Sequence, residues 1–257
     1  MVEIRDRVVV VTGGGGGIGG ALCRRFAADG AKHVVVSDID PRAAETVATE
    51  IGGTAVATDV TVESDVARLV RGTLEAYGRI DIYCSNAGIA HGGGPEASDE
   101  AWRQSWDVHL MAHVYAARAL LPAMLARGEG YLVGTISAAA LLNHVLAAPY
   151  AVTKAAGLSF FEWMAITYYD QGIRVSVVCP QGVRTAMLAQ EGERNFLTRG
   201  ALDPEQVAEA VANGMHDERF LILPHADVGE FFLRKASDYD RWLRGMRRLR
   251  GRILEEG

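Results

Sequence analysis

The sequence predicts a single α/β domain: a doubly wound, seven-stranded parallel sheet with helices on both faces, spanning residues 1–257, with an amphipathic tail at 225–257. Three observations carry this. Short β-branched runs alternate with longer amphipathic segments, the pattern of parallel strands joined by helical crossovers. The runs at 8–11 and 34–36 are solidly apolar, as in strands covered on both faces. A glycine-rich turn joins the first of these runs to the first helical segment. A chain of 257 residues suits one large α/β unit and buries roughly 70% of its surface without needing staples.

Strands are expected at 7–11, 33–38, 55–58, 81–85, 130–136, 174–179 and 219–223. Helices fill the gaps at 18–29, 41–51, 63–77, 99–126, 149–170 and 204–215. The first strand is a valine run that ends in Thr12 and five glycines, and the first helix starts directly behind them. The second strand ends at Asp38, and Asp40 before Pro41 suits the cap of the next helix. Gly52-Gly53 and Gly92-Gly93-Gly94-Pro95 are turns within the unit. Asp203-Pro204 reads as N-cap and first helical residue of the sixth helix. No solenoid-length repeat is present.

Charge and cysteine usage narrow the class. Twenty-six Lys and Arg against 32 Asp and Glu give a net charge of −6, which argues against a nucleic-acid partner. Cys23, Cys84 and Cys179 are widely spaced in apolar segments and read as reduced core thiols. They form no ligand cluster with the seven histidines, so no metal is expected. The N-terminus has mixed charge, unlike a signal peptide, and no run of about 18 apolar residues suggests a membrane span. A cytoplasmic protein with no membrane partner is the expectation.

The chemistry gathers beyond the strands' C-terminal ends. A Gly-rich turn between strand and helix lets backbone approach a pyrophosphate, and the helix N-terminus offers free N–H groups to the anion. Asp38, with Ile39 beside it, follows Gly13 by 25 residues, where a dinucleotide site needs a carboxylate for the adenosine ribose. A 2′-phosphate would be repelled there, so NAD is expected over NADP. Asp59-Val60, Asn86-Ala87-Gly88, Ser137 and the segment from Pro180 to Thr185 follow the third to sixth strands. In open parallel sheets that edge holds the ligand crevice. Tyr150 and Lys154, four residues apart, share a helix face. A nearby ammonium lowers the cost of ionising a phenol that otherwise titrates near ~10.

Taken together, T-G-x-x-x-G-x-G at 12–19, N-A-G at 86–88, Ser137 and Y-x-x-x-K at 150–154 resemble the short-chain dehydrogenase/reductase family over residues 5–224. The resemblance implies a Rossmann fold in which Gly13, Gly17, Ile18 and Gly19 form the dinucleotide loop. It implies Tyr150 as acid/base, Lys154 as the group that lowers its pKa and binds the nicotinamide ribose, and Ser137 as holder of the substrate oxygen. It further implies adenine contacts for Asp59 and Val60, nicotinamide contacts for Val183 and Thr185, and dinucleotide contacts for Asn86, Ala87, Gly88 and Pro180. His109 stands where the family often has an Asn on the proton path, so it joins the catalytic candidates as water holder, titrating group or packed imidazole. Gln181 follows Pro180 where Gly is usual, and is expected to face the substrate.

The expected function is an NAD-dependent alcohol dehydrogenase or carbonyl reductase. The alternative is a non-catalytic dinucleotide-binding regulator of the same fold. The segments 138–149 and 187–196 should flank the substrate and are largely apolar apart from Asn143, His144, Glu191 and Glu193. This points to a hydrophobic secondary alcohol or ketone, with no cluster of Arg or Lys awaiting an anion. Trp242, Met246, Leu249 and Ile253 form an apolar stripe among the tail arginines. The tail is therefore expected to pack across a subunit interface of a homo-oligomer, a tetramer or a dimer.

Overall fold

A computed structural model describes residues 3–190 and 197–256. The sheet contains β1 (Val8–Thr12), β2 (His33–Asp38), β3 (Thr54–Ala57), β4 (Ile82–Ser85), β5 (Gly130–Thr135), β6 (Ile173–Val178) and β7 (Leu221–Ile222). All pairings are parallel, in the order β3-β2-β1-β4-β5-β6-β7. The order reverses between β1 and β4, which opens a crevice beyond their C-terminal ends.

The helices are α1 (Gly17–Ala28), α2 (Pro41–Ile51), α3 (Glu63–Tyr77), α4 (Asp99–Trp106), α5 (Ala112–Arg127), α6 (Ala138–Leu142), α7 (Ala148–Tyr168), α8 (Ala186–Gln190), α9 (Pro204–His216), α10 (Ala226–Ser237) and α11 (Tyr239–Glu256). Alternation along β1 divides its valines between two cores. Val9 and Val11 pack with Leu22 and Phe26 of α1 and Val211 of α9. Val10 faces Leu69 of α3, Leu120 of α5 and Phe161 of α7 on the other side. Cys23, Cys84 and Cys179 are buried free thiols within these layers.

Three expectations change. The helix expected at 99–126 is one rod interrupted by a π-helical turn, Asp107–Met111, between α4 and α5. That rod is long and apolar enough to pass a length-and-composition test for a membrane span, where the sequence reading expected none. Here it carries buried core side chains, Leu120 and Met124 among them. The tail is two helices, α10 and α11, broken at Asp238.

Candidate active site

A cleft of about 1810 Å³ runs along the C-terminal ends of the strands. This exceeds the roughly 300–1,000 Å³ of a pocket for one drug-sized ligand, so it has room for two ligands end to end. One half is built by the loop between β1 and α1. Gly13 has φ +62°, and a Cβ on it would lie 2.9 Å from Ala87 Cα. Thr12 holds the two loops together: its Oγ1 accepts from the N–H of Asn86 at 3.0 Å and of Ala87 at 3.3 Å. The Asn86 amide donates back to the carbonyls of Thr12 and Gly13, at 3.0 and 3.3 Å. The first turn of α1 has no side-chain cap, so its leading N–H groups face outward.

Asp38 ties this half together. Its Oδ2 accepts from Gly15 N–H at 2.9 Å and its Oδ1 from Asp40 N–H at 3.0 Å. Asp40 itself caps α2, accepting from Arg42 and Ala43 N–H, so Asp38 is left for the cleft. Each carboxylate oxygen keeps a lone pair for a further donor. Asp59 is similarly placed, with Oδ1 accepting from Thr61.

The other half holds the reactive groups. Ser137 caps α6, its Oγ accepting from Ala139 N–H at 3.1 Å, which leaves its own proton available. Lys154 is buried one turn below Tyr150, with Nζ 5.8 Å from the tyrosine ring centroid. The ammonium donates to Thr135 O at 2.9 Å, and burial pushes its pKa down to about 8. His144 lies edge-on to Tyr150, with centroids 6.4 Å apart.

Ser137, Tyr150 and Lys154 line one cleft with Gly13, Gly17 and Ile18. Asp38, Ile39, Asp59, Val60 and residues 86–88 line the same cleft, as do Pro180, Val183 and Thr185. Gln181, Asn143 and His144 also reach it, as expected. Residues 191–196, with Glu191, Glu193 and Arg194, lie outside the described residues.

Two candidates stand elsewhere. Gly19 is buried behind the loop, where a Cβ would collide with the Gly13 carbonyl; its role is to let α1 pack closely on the turn. His109 is fully buried beneath Tyr150, edge-on at 5.3 Å, and does not line the cleft. Its Nε2 accepts from Ile89 N–H at 3.2 Å, so the proton sits on Nδ1 and is donated to Thr153 Oγ1 at 2.8 Å. Thr153 passes its own proton to Pro149 O at 2.7 Å. Burial first and the Lys154 charge second hold the His109 pKa well below the usual imidazole range. Thr12 opens the glycine motif read at 12–19, whereas Thr135 and Thr153, which the sequence reading passed over, have no motif spacing; only the fold brings them to these partners.

Within the single chain the tail folds over the cleft. Its apolar stripe faces this chain's own cleft: Trp242, Met246 and Leu249 line it, and Trp242 packs near Phe231 at 6.4 Å. The helix brings arginines with it, so the expectation of no cationic cluster near the substrate also changes. Arg199, Arg234, Arg248 and Arg252 border the cleft.

A glycine cradle and a buried lysine beneath a tyrosine, joined across one crevice, define an oxidoreductase that works with a dinucleotide. Comparison with known proteins gives the family. The short chain dehydrogenase family matches residues 7–195. A 1-deoxy-11-beta-hydroxypentalenate dehydrogenase from Streptomyces exfoliatus is 35% identical over 236 residues, 88% of this chain and 86% of that protein. A 2,5-dichloro-2,5-cyclohexadiene-1,4-diol dehydrogenase from Sphingobium indicum is 34% identical over 93% of this chain and 94% of its own length. A short chain dehydrogenase/reductase from Burkholderia phymatum, solved in complex with NAD, superposes with TM-score 0.85 at 28% identity, covering 93% of this chain and 96% of that one. The chain belongs to the short-chain dehydrogenase/reductase family of oxidoreductases.

Proposed function

We propose that the protein is an NAD-dependent dehydrogenase acting on a secondary alcohol, or on the ketone in reverse, carried on an apolar skeleton. The observation that carries this reading is the Lys154 ammonium held, buried, 5.8 Å from the Tyr150 ring on the wall of a cleft that Ser137 shares. The cradle fits the dinucleotide, since Gly16 lines the cleft and a Cβ there would meet no protein atom within 4 Å, standing instead in the ligand's space. Gly17 and Ile18 would bind the diphosphate through N–H groups, Asp38 the adenosine ribose hydroxyls, and Asp59 and Val60 would lie beside the adenine. Gly88, Pro180, Val183 and Thr185 would line the nicotinamide side. NAD, when bound, supplies the hydride acceptor.

The protein's own groups manage the proton. Ser137 would hold the substrate oxygen with its free hydroxyl proton. Tyr150 would take the alcohol's proton on Oη during oxidation and return it during reduction. A positive charge at about 6 Å and an effective dielectric of about 20 favours the phenolate by roughly 3 kcal/mol, about two pK units. Lys154, at about 8, keeps that charge at neutral pH. The names of both relatives above specify hydroxylated compounds, which supports an alcohol substrate. Exposed Trp163 and Ile166 on α7 support a homo-oligomer formed through the long helices.

Tyr150→Phe tests the reading: kcat for alcohol oxidation should fall by about 10²–10⁴-fold, the usual worth of a general base, with NADH affinity nearly intact. Substantial turnover in that variant would place the acid/base elsewhere. For cofactor choice, the native protein should bind NAD more tightly than NADP, and Asp38→Ala should narrow the gap. Tighter native binding of NADP would refute the role of Asp38.

A further inference from the structure

We propose that the substrate carries an anionic group, carboxylate or phosphate, and that Arg248 and Arg252 of α11, with Arg199 of the same cleft lining, receive it. This rests on the dehydrogenase reading and deepens it by naming the substrate class.

The cap helix sorts its arginines. Gly245, Arg248, Leu249 and Arg252 follow i, i+3, i+4, i+7 and border the cleft, whereas Arg241, Arg244 and Arg247 do not. Arg250 anchors the helix instead, its Nε donating to Val145 O at 3.2 Å in the segment just before α7. Lys235 of α10 donates to Leu141 O at 2.5 Å and fixes the base of the cap.

Some guanidinium groups elsewhere are paired, Arg24 with Glu50 at 2.7 Å, Arg118 with Glu63 at 2.9 Å and Arg174 with Glu218 at 2.7 Å, so what marks the cleft arginines is their place on its lining rather than their lack of a partner alone. Arg234, on the cleft rim, is paired with Glu230 at 3.1 Å. Arg199, Arg248 and Arg252 have no ion-pair or hydrogen-bond partner among the described residues. The acids on the same half of the cleft are Glu100, Asp107 and Glu255, and Glu100 is already bonded to Arg103 and Gln104. Three exposed cations without a partner therefore share the cleft with two available carboxylates, Asp107 and Glu255, among apolar and polar lining residues.

Space is left beside them. Gly245 and Gly251 both line the cleft inside α11, where glycine costs a helix about 1 kcal/mol relative to alanine. A Cβ at Gly251 would meet nothing within 4 Å, and one at Gly245 only Arg248 Nη2 at 4.0 Å. Packing within the protein does not require either glycine. The space beside these arginines is thus open to a ligand that ends in an anion.

The test uses NAD-loaded full-length protein and matched sets of secondary alcohols on decalin and steroid skeletons, each as a carboxylate, as its methyl ester and as a phosphate monoester. Lithocholate and methyl lithocholate form one such pair. An anionic member should exceed the neutral ester in kcat/KM by at least about tenfold, equal to about 1.4 kcal/mol. Which anion leads distinguishes carboxylate from phosphate. Arg248→Gln with Arg252→Gln should bring the ratio close to one, and raised salt should shrink it in the native enzyme. Equal turnover of anion and ester, or a preference that survives in the double variant, overturns the proposal. So does a matching loss of NADH affinity in that variant, which would assign the arginines to the dinucleotide. If no member is oxidised, the dehydrogenase reading fails separately. Thermal shift of NADH-loaded protein then decides: stabilisation by the anion but not the ester supports the arginine site, and equal or no stabilisation overturns it.

Discussion

At His109 one substitution of residue type changes what the site can do with protons. Both ring nitrogens are committed, one accepting from Ile89 N–H and the other donating to Thr153, so the imidazole has no lone pair to offer a passing proton. Its folded pKa lies well below 6.5, and that of His113 is pushed to about 3, in both cases mainly by burial. The sign follows: the unfolded chain binds protons that the folded one refuses. The stability these residues lend is therefore full above about pH 6.5 and lost as pH falls toward the folded values. His109→Asn should retain kcat within about fivefold, the worth of one hydrogen bond of about 1 kcal/mol, and leave the acidic limb of the pH–rate profile in place. His109→Ala should lose more, because Ile89 N–H and Thr153 are left without their partner. A limb that moves in His109→Asn would show that the imidazole titrates. The basic side belongs to Lys154, whose charge is lost as pH rises through about 8.

The elements that position these residues meet at Gly157. A Cβ there would lie 2.7 Å from the carbonyl oxygen of His109, inside the π-helical turn, so α7 and the rod from α4 to α5 approach to backbone contact. Gly157→Ala should destabilise by about 1–3 kcal/mol through overpacking, despite alanine's better helix propensity, and should lower kcat because the strain falls on the helix carrying Tyr150 and Lys154. Gly72→Ala is the control: in α3, with nothing within 4 Å of its Cβ, it should stabilise by about 0.5–1 kcal/mol. Thermal melts of the two variants moving in the same direction would refute the close-packing argument. Bounds set by local chemistry were legible in the sequence. Asp40-Pro41 caps α2 and Gly78 ends α3 at φ +77°, so both helices were readable to the residue. The π turn was not, because its cause is the register between two helices distant in sequence. Nor was α6, a five-residue apolar helix whose only signal is its Ser137 cap. For the site, the motif residues were legible by spacing. Thr135 and Thr153 were not, since a carbonyl that accepts from Lys154 and a hydroxyl that meets His109 leave no periodic trace.

At the scale of the whole molecule the two edges of the sheet do different work. At the strands' N-terminal ends Arg7 and Arg79 bind Asp81 and Glu129, and Asp81 Oδ2 accepts from Val8 N–H at 2.9 Å, which fixes the start of β1 to that of β4. The C-terminal edge is left open for ligands and then covered by α10 and α11. The periodicity of the α11 stripe was readable, but not the surface it meets: amphipathicity shows that a face is covered without naming its partner. Because Trp242, Met246, Leu249 and Ile253 are only half-buried, α11 adds little to the core and much to the cleft wall. Truncation after Ser237 should therefore raise KM for an apolar alcohol by at least about tenfold, the worth of one lost apolar anchor of about 1.5 kcal/mol, while dinucleotide affinity, proposed to lie in the glycine-loop half of the cleft, should be kept. Each kcal/mol of packing lost with Trp242 should lower Tm by about 2–4 °C. Sedimentation of the truncated protein separates this arrangement from the subunit-bridging one. An unchanged oligomer with a raised KM fits a helix that covers its own cleft. Dissociation with KM preserved would mean that the stripe reaches a neighbouring subunit.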